Sequence, residues 1–216
     1  MKLKLYSFRY GLEIIQNLED TNIKFEEFLT ALKGITDDDI IALFNKRKRE
    51  GKNDKGLSIV INQLIKERLT KLGWVSESPI FKDTVYNSGS TAWRLDFVAP
   101  ELFSVEVAFN NQGSIAINLL KPVLASELNH VEKAFQTEFG LIVTATNEMR
   151  DAGGFDATIG TFEKYISQTK PLRNQLTTPL VILGIEAPET FKVLHNQVGN
   201  RKIGKIVNLN TGEIIE

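Results

Sequence analysis

The sequence predicts an α/β fold in which helices flank a mixed central β-sheet, in a single domain over residues 1–216. Two short apolar runs, at residues 139–146 and 179–185, are typical of strands that are buried on both faces. Segments with helical periodicity precede these runs and lie between them, which is the pattern of a sheet covered by helices. The length suits one well-packed domain and does not require two.

The first third of the chain is predicted to be mostly helical. Residues 2–10 alternate apolar and polar side chains, which predicts a strand or an edge segment. Four helices are predicted after it, over residues 12–18, 24–33, 37–49 and 58–72. Thr36 is the natural N-cap of the third helix, because three aspartates follow it in the first turn.

The middle of the chain is predicted to form strands joined by turns. A strand is predicted over residues 79–86, followed by a turn over residues 87–90. Two strand-like runs, residues 95–98 and 103–109, are rich in β-branched and aromatic side chains. The Ala99-Pro100-Glu101 segment between them predicts a turn.

The last part of the chain adds helices and loops around the two buried strands. A helix is predicted over residues 114–131, with an interruption at Lys121-Pro122 because proline cannot continue the hydrogen-bond ladder. Residues 161–167 are also predicted to be helical. The glycine-containing stretches 151–160 and 199–204 predict loops.

The composition excludes several classes of protein. Hydrophobic residues make up 42% and charged residues 25% of the chain, as in an ordinary soluble protein. The absence of cysteine excludes a disulfide framework, a thiolate zinc site and cysteine catalysis. The two histidines occur without a G-x-S-x-G motif, which argues against Ser/His/Asp catalysis. No apolar stretch predicts a signal peptide or a membrane span, so we expect a soluble, cytoplasmic protein without a membrane partner.

Charge is distributed unevenly along the chain. The net charge of −1 does not by itself indicate nucleic-acid binding. Residues 46–55, KRKREGKNDK, nevertheless contain six basic and two acidic side chains. The candidates for phosphate contacts in this run are Lys46, Arg47, Lys48 and Arg49. A solvated loop is an equally good interpretation of such a charge block.

Two carboxylates occupy unusual positions in the strand-like runs. Asp96 and Glu106 each lie within an otherwise apolar segment. If the runs pair as an antiparallel hairpin, the two like charges approach each other and either raise a pKa or bind a cation. Mg²⁺ suits such hard oxygen ligands and shares its remaining positions with water and phosphate oxygens. The pair therefore indicates phosphodiester hydrolysis, although either residue alone could be a solvated or salt-bridged structural residue.

Four blocks of the chain resemble the type II restriction endonucleases of the PD-(D/E)XK superfamily, specifically those of the BstYI and BglII group. The blocks, in order, are MKLKLYSFRYGLEIIQ, LSIVINQLIKERLTKLGW, LDFVAPELFSVEVAF and TPLVILGI. The superfamily motif alone is degenerate, whereas four blocks in the same order and approximate spacing are more specific.

The resemblance implies a homodimeric, Mg²⁺-dependent enzyme that cuts both strands of a short palindrome in double-stranded DNA, with a GATC core. A cognate DNA methyltransferase is expected in the same system. By position, the resemblance makes Asp96 and Glu106 the metal-binding carboxylates, and the backbone carbonyl of Val107 completes the metal ligands. A two-fold protein that recognises a two-fold site is also the geometric expectation.

The chain departs from the family pattern at Ala108, a catalytic position. The family has Lys, Glu or Gln two residues after the second carboxylate, where the side chain helps to position the attacking water. Two explanations stay open: another polar group substitutes, or the chain has a deliberate inactivating substitution. The substitutes considered are Asn111, Gln112, Glu67 and Glu77, although polar residues on turns and helix faces are usually only solvated.

The turn after Glu106 and a later loop contain candidate DNA contacts. Asn110 and Asn111 match a position from which BglII-like enzymes contact DNA, and Asn suits bidentate adenine contacts. Alternatively, both residues only form the turn. Asp156 and Thr158 align loosely with a second recognition loop, and an aspartate could accept from cytosine N4.

Two other functions are compatible with the same residues. One is a catalytically inactive, sequence-specific DNA-binding protein, which Ala108 suggests directly. The other is a superfamily nuclease that acts in repair or recombination. Sequence-specific ends, binding without cutting, and structure-dependent cutting distinguish the three.

Overall fold

Eight strands form two sheets in the computed structural model, which describes residues 1–87, 93–128, 130–199 and 201–215. The strands are β1 (Leu3–Phe8), β2 (Val75–Pro79), β3 (Arg94–Ala99), β4 (Phe103–Val107), β5 (Phe139–Ala145), β6 (Leu180–Ile185), β7 (Phe191–Val198) and β8 (Arg201–Asn208). The helices are α1 (Gly11–Asn17), α2 (Glu19–Lys33), α3 (Asp37–Arg49), α4 (Ser58–Lys71), α5 (Ile115–Ser126), α6 (Asn147–Ala152) and α7 (Phe162–Thr169).

The central sheet has six strands in the order β1-β6-β5-β4-β3-β2. Strands β4, β5 and β6 are parallel, and the other neighbouring pairs are antiparallel. Strands β7 and β8 form a separate antiparallel hairpin. The mixed sheet flanked by helices confirms the fold class predicted from the sequence.

The apolar runs at the centre of the sheet are buried on both faces. Every residue of β5 and of β6 is buried, as their continuous apolar sequences predict. One face packs against α2, α3 and α4 through a core that includes Phe25, Phe28 and Ile61. The opposite face packs against α5 and α7 through Leu119 and Tyr165.

The helix boundaries follow local sequence signals closely. Thr36 caps α3 as predicted: its side chain accepts from the backbone of Asp39, and the Asp39 side chain accepts from the backbone of Thr36. Helix α2 begins at Glu19, five residues before the predicted start, because Glu19 and Asp20 extend it with an acidic first turn.

Two of the elements predicted after α4 have wrong boundaries. The strand predicted over residues 79–86 lies earlier, since β2 ends at Pro79 and the Asp83 side chain caps a short 3₁₀ turn at Thr84–Tyr86. Residues 88–90 of the turn predicted there lie outside the described residues. Helix α5 ends at Ser126 instead of residue 131, and Pro122 lies within it without interrupting it.

The loop predicted at residues 199–204 is also wrong in part, because Arg201 begins β8. The β7–β8 hairpin packs on the main core through Phe191, Val193 and Ile206. Its outer side chains are largely polar, which concealed the strand pattern. In the described part of the chain, no helix combines the length and apolar character needed to cross a membrane.

Candidate active site

The β3–β4 hairpin brings Asp96 and Glu106 together. The strands pair antiparallel with Phe97 opposite Val105, and continuing this register by one residue places Asp96 opposite Glu106. Opposite residues lie on the same face of a sheet. The backbone N–H of Val107 donates to Asp96 Oδ2 at 2.6 Å, which fixes the carboxylate against the end of β4. The two strand-like runs therefore pair as an antiparallel hairpin, which was the condition for the two carboxylates to approach each other.

Glu106 is buried and only partly hydrogen-bonded. It is 3% exposed, on the sheet face that packs against α5. Its Oε1 atom is buried and has no hydrogen-bond partner among the described residues. A buried carboxylate oxygen without a donor is costly unless a cation or a donor occupies the space beside it.

Burial and mutual repulsion shift the titration of both carboxyl groups. Burial, followed by the charge of Asp96, raises the pKa of Glu106 to about 8, although Lys121 opposes the shift. Burial also raises the pKa of Asp96, against the hydrogen bond from Val107. Such coupled carboxylates in one site are typical of functional centres.

Lys121 from α5 completes this cluster. Its Nζ atom lies 2.7 Å from Glu106 Oε2, and the two side chains are 19% and 4% exposed. Its charge also acts on Asp96, whose pKa it lowers. The cluster therefore consists of two carboxylates and one ammonium group from three different elements.

Close packing of α5 on the sheet places Lys121. A Cβ atom added to Gly140 of β5 would lie 2.5 Å from Pro122 Cβ, so the absence of a side chain there allows the helix to approach. Ala108, at 2% exposure, belongs to the same apolar cluster as Ile115 and Leu119 of α5. A long side chain at position 108 would occupy space that α5 now fills.

The cluster satisfies part of the requirement for a divalent cation. Two carboxylates opposite each other on one sheet face, one of them with an orphaned buried oxygen, are hard ligands of the kind that Mg²⁺ prefers. Among the described residues, no group of three or more Asp, Glu, His or Cys side chains has the geometry to hold a metal. A cation there would take its remaining ligands from water, backbone or phosphate oxygens, which is the usual situation for Mg²⁺.

The two candidate DNA-contact loops are joined by hydrogen bonds. Asn111 Nδ2 donates to Thr158 Oγ1 at 3.1 Å, and the backbone N–H of Gln112 donates to the carbonyl of Thr158. Thr158 in turn donates to Asp156 Oδ1 from its backbone and hydroxyl, and Lys55 donates to Asp156 Oδ2. These contacts, led by the Thr158 backbone, lower the pKa of Asp156 to about 2.

Asn110 has a different environment from Asn111. Its Oδ1 atom accepts from Asn118 Nδ2 at 3.0 Å. Asn118 is buried on α5 and also donates to the hydroxyl of Tyr165. Asn110 therefore connects the turn to the interior, whereas Asn111 connects the turn to the second loop.

The basic run at the end of α3 divides into exposed and structural residues. Lys46, Lys48 and Arg49 are exposed. Arg47 forms a bidentate pair with Asp54 at 2.5 and 2.9 Å, and their side chains are only 12% and 8% exposed. Arg47 thus holds the loop that follows α3.

Three of the four substitutes considered for the side chain missing at Ala108 lie in other networks. Glu67 accepts from Gln63 on α4, and Asn111 and Gln112 contact the Thr158 loop. Glu77 forms an exposed pair with Lys66, although its charge raises the pKa of Asp96. Sequence reasoning missed Lys121. The available signal was that Lys121 is the one charged side chain in α5. In the sequence analysis this segment served only to predict an interruption at Pro122.

Comparison with known proteins defines the class. A crystal structure of the restriction endonuclease BglII complexed with a DNA 16-mer has a TM-score of 0.64 and 18% identity, and the alignment covers 96% of this chain and 100% of that chain. A crystal structure of free BglII has a TM-score of 0.51 and 14% identity, with 100% of this chain and 99% of that chain covered. At these identities the similarity shows a shared fold. A search of curated proteins finds no match.

A family model adds what the structural similarity alone does not show. The model described as restriction endonuclease BglII/BglIII matches residues 3–185. The fold and this match place the chain in the class of type II restriction endonucleases. The chain belongs to the BglII/BglIII family of these enzymes.

Proposed function

We propose that this protein is a Mg²⁺-dependent restriction endonuclease that hydrolyses both strands of a short palindrome in duplex DNA. The observation that supports this most strongly is the pairing of half-buried Asp96 with buried Glu106, one oxygen of which has no hydrogen-bond partner among the described residues. Family membership supplies the reaction class. The pair supplies a place in the chain where that reaction would occur.

Asp96 and Glu106 would hold the metal. Bound Mg²⁺ supplies charge neutralisation at the scissile phosphate and lowers the pKa of the attacking water. The hydrogen bond from Val107 keeps one Asp96 oxygen oriented, so the other can face the metal. In this proposal the backbone carbonyl of Val107 is the third protein ligand.

The DNA contacts would come from a surface beside the carboxylates. The turn at residues 110–113 begins three residues after β4 ends at Val107, and its hydrogen bonds to Thr158 make the two loops one unit. Asn111 and Thr158 are exposed and can approach base edges in the major groove. Asp156 already accepts hydrogen bonds from the backbone and hydroxyl of Thr158 and from Lys55. It would therefore stabilise the loop in addition to any contact that it makes with cytosine.

Basic residues extend this surface away from the loops. Lys55 donates to Asp156, and the exposed Lys46, Lys48 and Arg49 lie at the end of α3, a few residues before Lys55 in the chain. The backbone of Asp54 and Lys55 also contacts the β7–β8 hairpin, at Gly204 and His195. The hairpin contains Lys192, Arg201, Lys202 and Lys205 and no acidic residue. These side chains would contact phosphates, which position the protein without specifying sequence.

The finer details of the proposal follow from the resemblance and from symmetry. A homodimer would place two copies of the carboxylate pair across a palindrome, one for each strand. The resemblance to the BstYI and BglII group supports a GATC core. A cognate methyltransferase would protect the same site in the host.

A cleavage assay with paired variants tests the role of the carboxylates. We expect Asp96→Asn and Glu106→Gln to reduce Mg²⁺-dependent cleavage at least about 1,000-fold, because each removes a metal ligand from a site with only two carboxylates. DNA binding measured in Ca²⁺ or without metal should persist. Asp20→Asn, an exposed aspartate on α2, is the matched control. Normal cleavage by Asp96→Asn would contradict the mechanism.

A catalytically inactive DNA-binding protein on the same fold is the second candidate. Ala108 favours it, because a methyl group cannot position water. In that case the wild type would bind duplex DNA specifically and cut none, and Ala108→Gln or Ala108→Lys would restore cutting.

A further inference from the structure

We propose that Lys121 supplies from α5, as a cation, the polar group that the family places on the strand at position 108. This inference rests on the proposed function and identifies the residue that makes the site complete. It concerns a residue of the active site that the family pattern does not predict.

The position of the ammonium group is the first argument. Lys121 Nζ lies 2.7 Å from Glu106 Oε2 and acts on the charge of Asp96 as well. An ammonium group has three donors, and Glu106 Oε2 uses one of them. The others can hold the attacking water and an oxygen of the scissile phosphate beside the carboxylate.

The packing around Ala108 is the second argument. Ala108 is buried against α5, in one cluster with Ile115 and Leu119. Gly140 permits the close approach of the helix at Pro122, the residue after Lys121. A small residue at 108 and a lysine at 121 are therefore complementary. Helix α5 fills the space that a long side chain at position 108 would occupy, and Lys121 on that helix provides the charge.

Burial of the charge is the third argument. Lys121 is the one charged residue of α5, and its side chain is 19% exposed. Burying an ammonium group is costly unless it is paired, and even a paired charge in the interior often adds little to the stability of the fold. A functional role explains why a lysine occupies this position on an apolar helix.

The proposed step is an ordinary hydrolysis. The oxygen of water bonds to phosphorus, the P–O3′ bond breaks, and the products are a 5′-phosphate and a 3′-hydroxyl. The water releases one proton to solvent, and the departing O3′ takes one up. Lys121 remains an ammonium group throughout, orienting the water and stabilising the phosphate charge by hydrogen bonds.

The test compares the wild type with Lys121→Met, Lys121→Gln and Lys121→Arg in single-turnover cleavage at saturating Mg²⁺ and DNA. We expect Lys121→Met and Lys121→Gln to be slower by about 100-fold or more, and Lys121→Arg to recover part of the loss. DNA affinity in Ca²⁺ should change by less than about threefold, since the variants alter one buried donor among many contacts. Lys121→Gln keeps a donor for Glu106 if Lys121→Met folds poorly.

The matched control is Lys24→Met, which removes the lysine of another partly buried Lys–Glu pair, with Glu27 on α2. It should cleave at the wild-type rate. If Lys121 only neutralised Glu106, saturating metal would replace it and the Lys121→Met variant would cut normally. That result would overturn the inference and leave the proposed function intact.

The wild type and Ala108→Lys separate the remaining outcomes. Cutting by the wild type, with loss in Lys121→Met, supports the inference. An inert wild type with an active Ala108→Lys variant would show that Lys121 does not replace the strand side chain, while the fold remains a nuclease. If neither protein cuts but both bind DNA, the inference and the proposed function both fail.

Discussion

At the scale of single residues, the carboxylate pair makes the metal-free fold sensitive to pH. The pKa of folded Glu106 is about 8, above its ordinary value of 4.5. Between these values the folded state binds more protons than the unfolded state, so the free energy of unfolding decreases as pH rises from about 4.5 to 8. Raised carboxyl pKa values thus oppose stability at the pH where the enzyme would bind metal.

Removing one of the two like charges should reduce this loss of stability at high pH. We expect Asp96→Asn, measured with EDTA, to increase the free energy of unfolding by about 1 kcal/mol at pH 8, because the repulsion between the two carboxylates is removed and the pKa of Glu106 falls. The gain should shrink towards pH 5, where Glu106 is protonated in both proteins. Urea unfolding at the two pH values measures it, with Asp20→Asn as the control. An equal effect at both pH values would show that the two charges do not interact.

At the scale of elements, the contact between α5 and β5 determines where Lys121 lies. Gly140 would place a Cβ atom 2.4 Å from Leu180 Cδ2 and 2.5 Å from Pro122 Cβ. Gly184 of β6 is similarly crowded, with a Cβ atom 2.7 Å from the Phe162 ring of α7. The two glycines therefore form a matched pair, of which one supports the helix that contains Lys121.

Gly140→Ala should displace α5 and slow cleavage. We expect both Gly140→Ala and Gly184→Ala to lower the free energy of unfolding by about 1–3 kcal/mol through overpacking. Only Gly140→Ala should reduce the single-turnover rate, by about tenfold or more, since small misplacements of reacting groups are costly. The rates are compared at a temperature where both variants are folded. If Gly140→Ala cleaved as fast as Gly184→Ala, the packing of α5 would not determine the catalytic geometry.

Sequence patterns predicted most elements, because long periodic segments and continuous apolar runs determine burial directly. The Thr36 cap, the buried β5 and β6, and the β3–β4 hairpin follow from such local signals. The placement of Lys121 does not, since it depends on how closely Pro122 approaches Gly140, a contact between residues that are distant in sequence. The β7–β8 hairpin escaped prediction because its exposed polar side chains obscure the alternation of a strand.

At the scale of the whole molecule, one chain offers one Asp96–Glu106 pair, whereas the proposed cut in both DNA strands needs two. The proposed two-fold dimer would meet this requirement and would make the DNA site palindromic. The loop unit of Asn111 and Thr158 would then contact equivalent bases in each half-site, next to the phosphate that each carboxylate pair addresses. In this proposal the recognised sequence and the symmetry of the cut both follow from the two-fold axis of the dimer.

The most direct measurement is sequencing of the fragment ends after incubation of the protein with unmethylated phage DNA and Mg²⁺. The account predicts discrete ends in both strands, placed symmetrically within one short palindrome that contains GATC, and none with Asp96→Asn. An absence of ends above the Asp96→Asn background, or ends scattered without a common sequence, would contradict it.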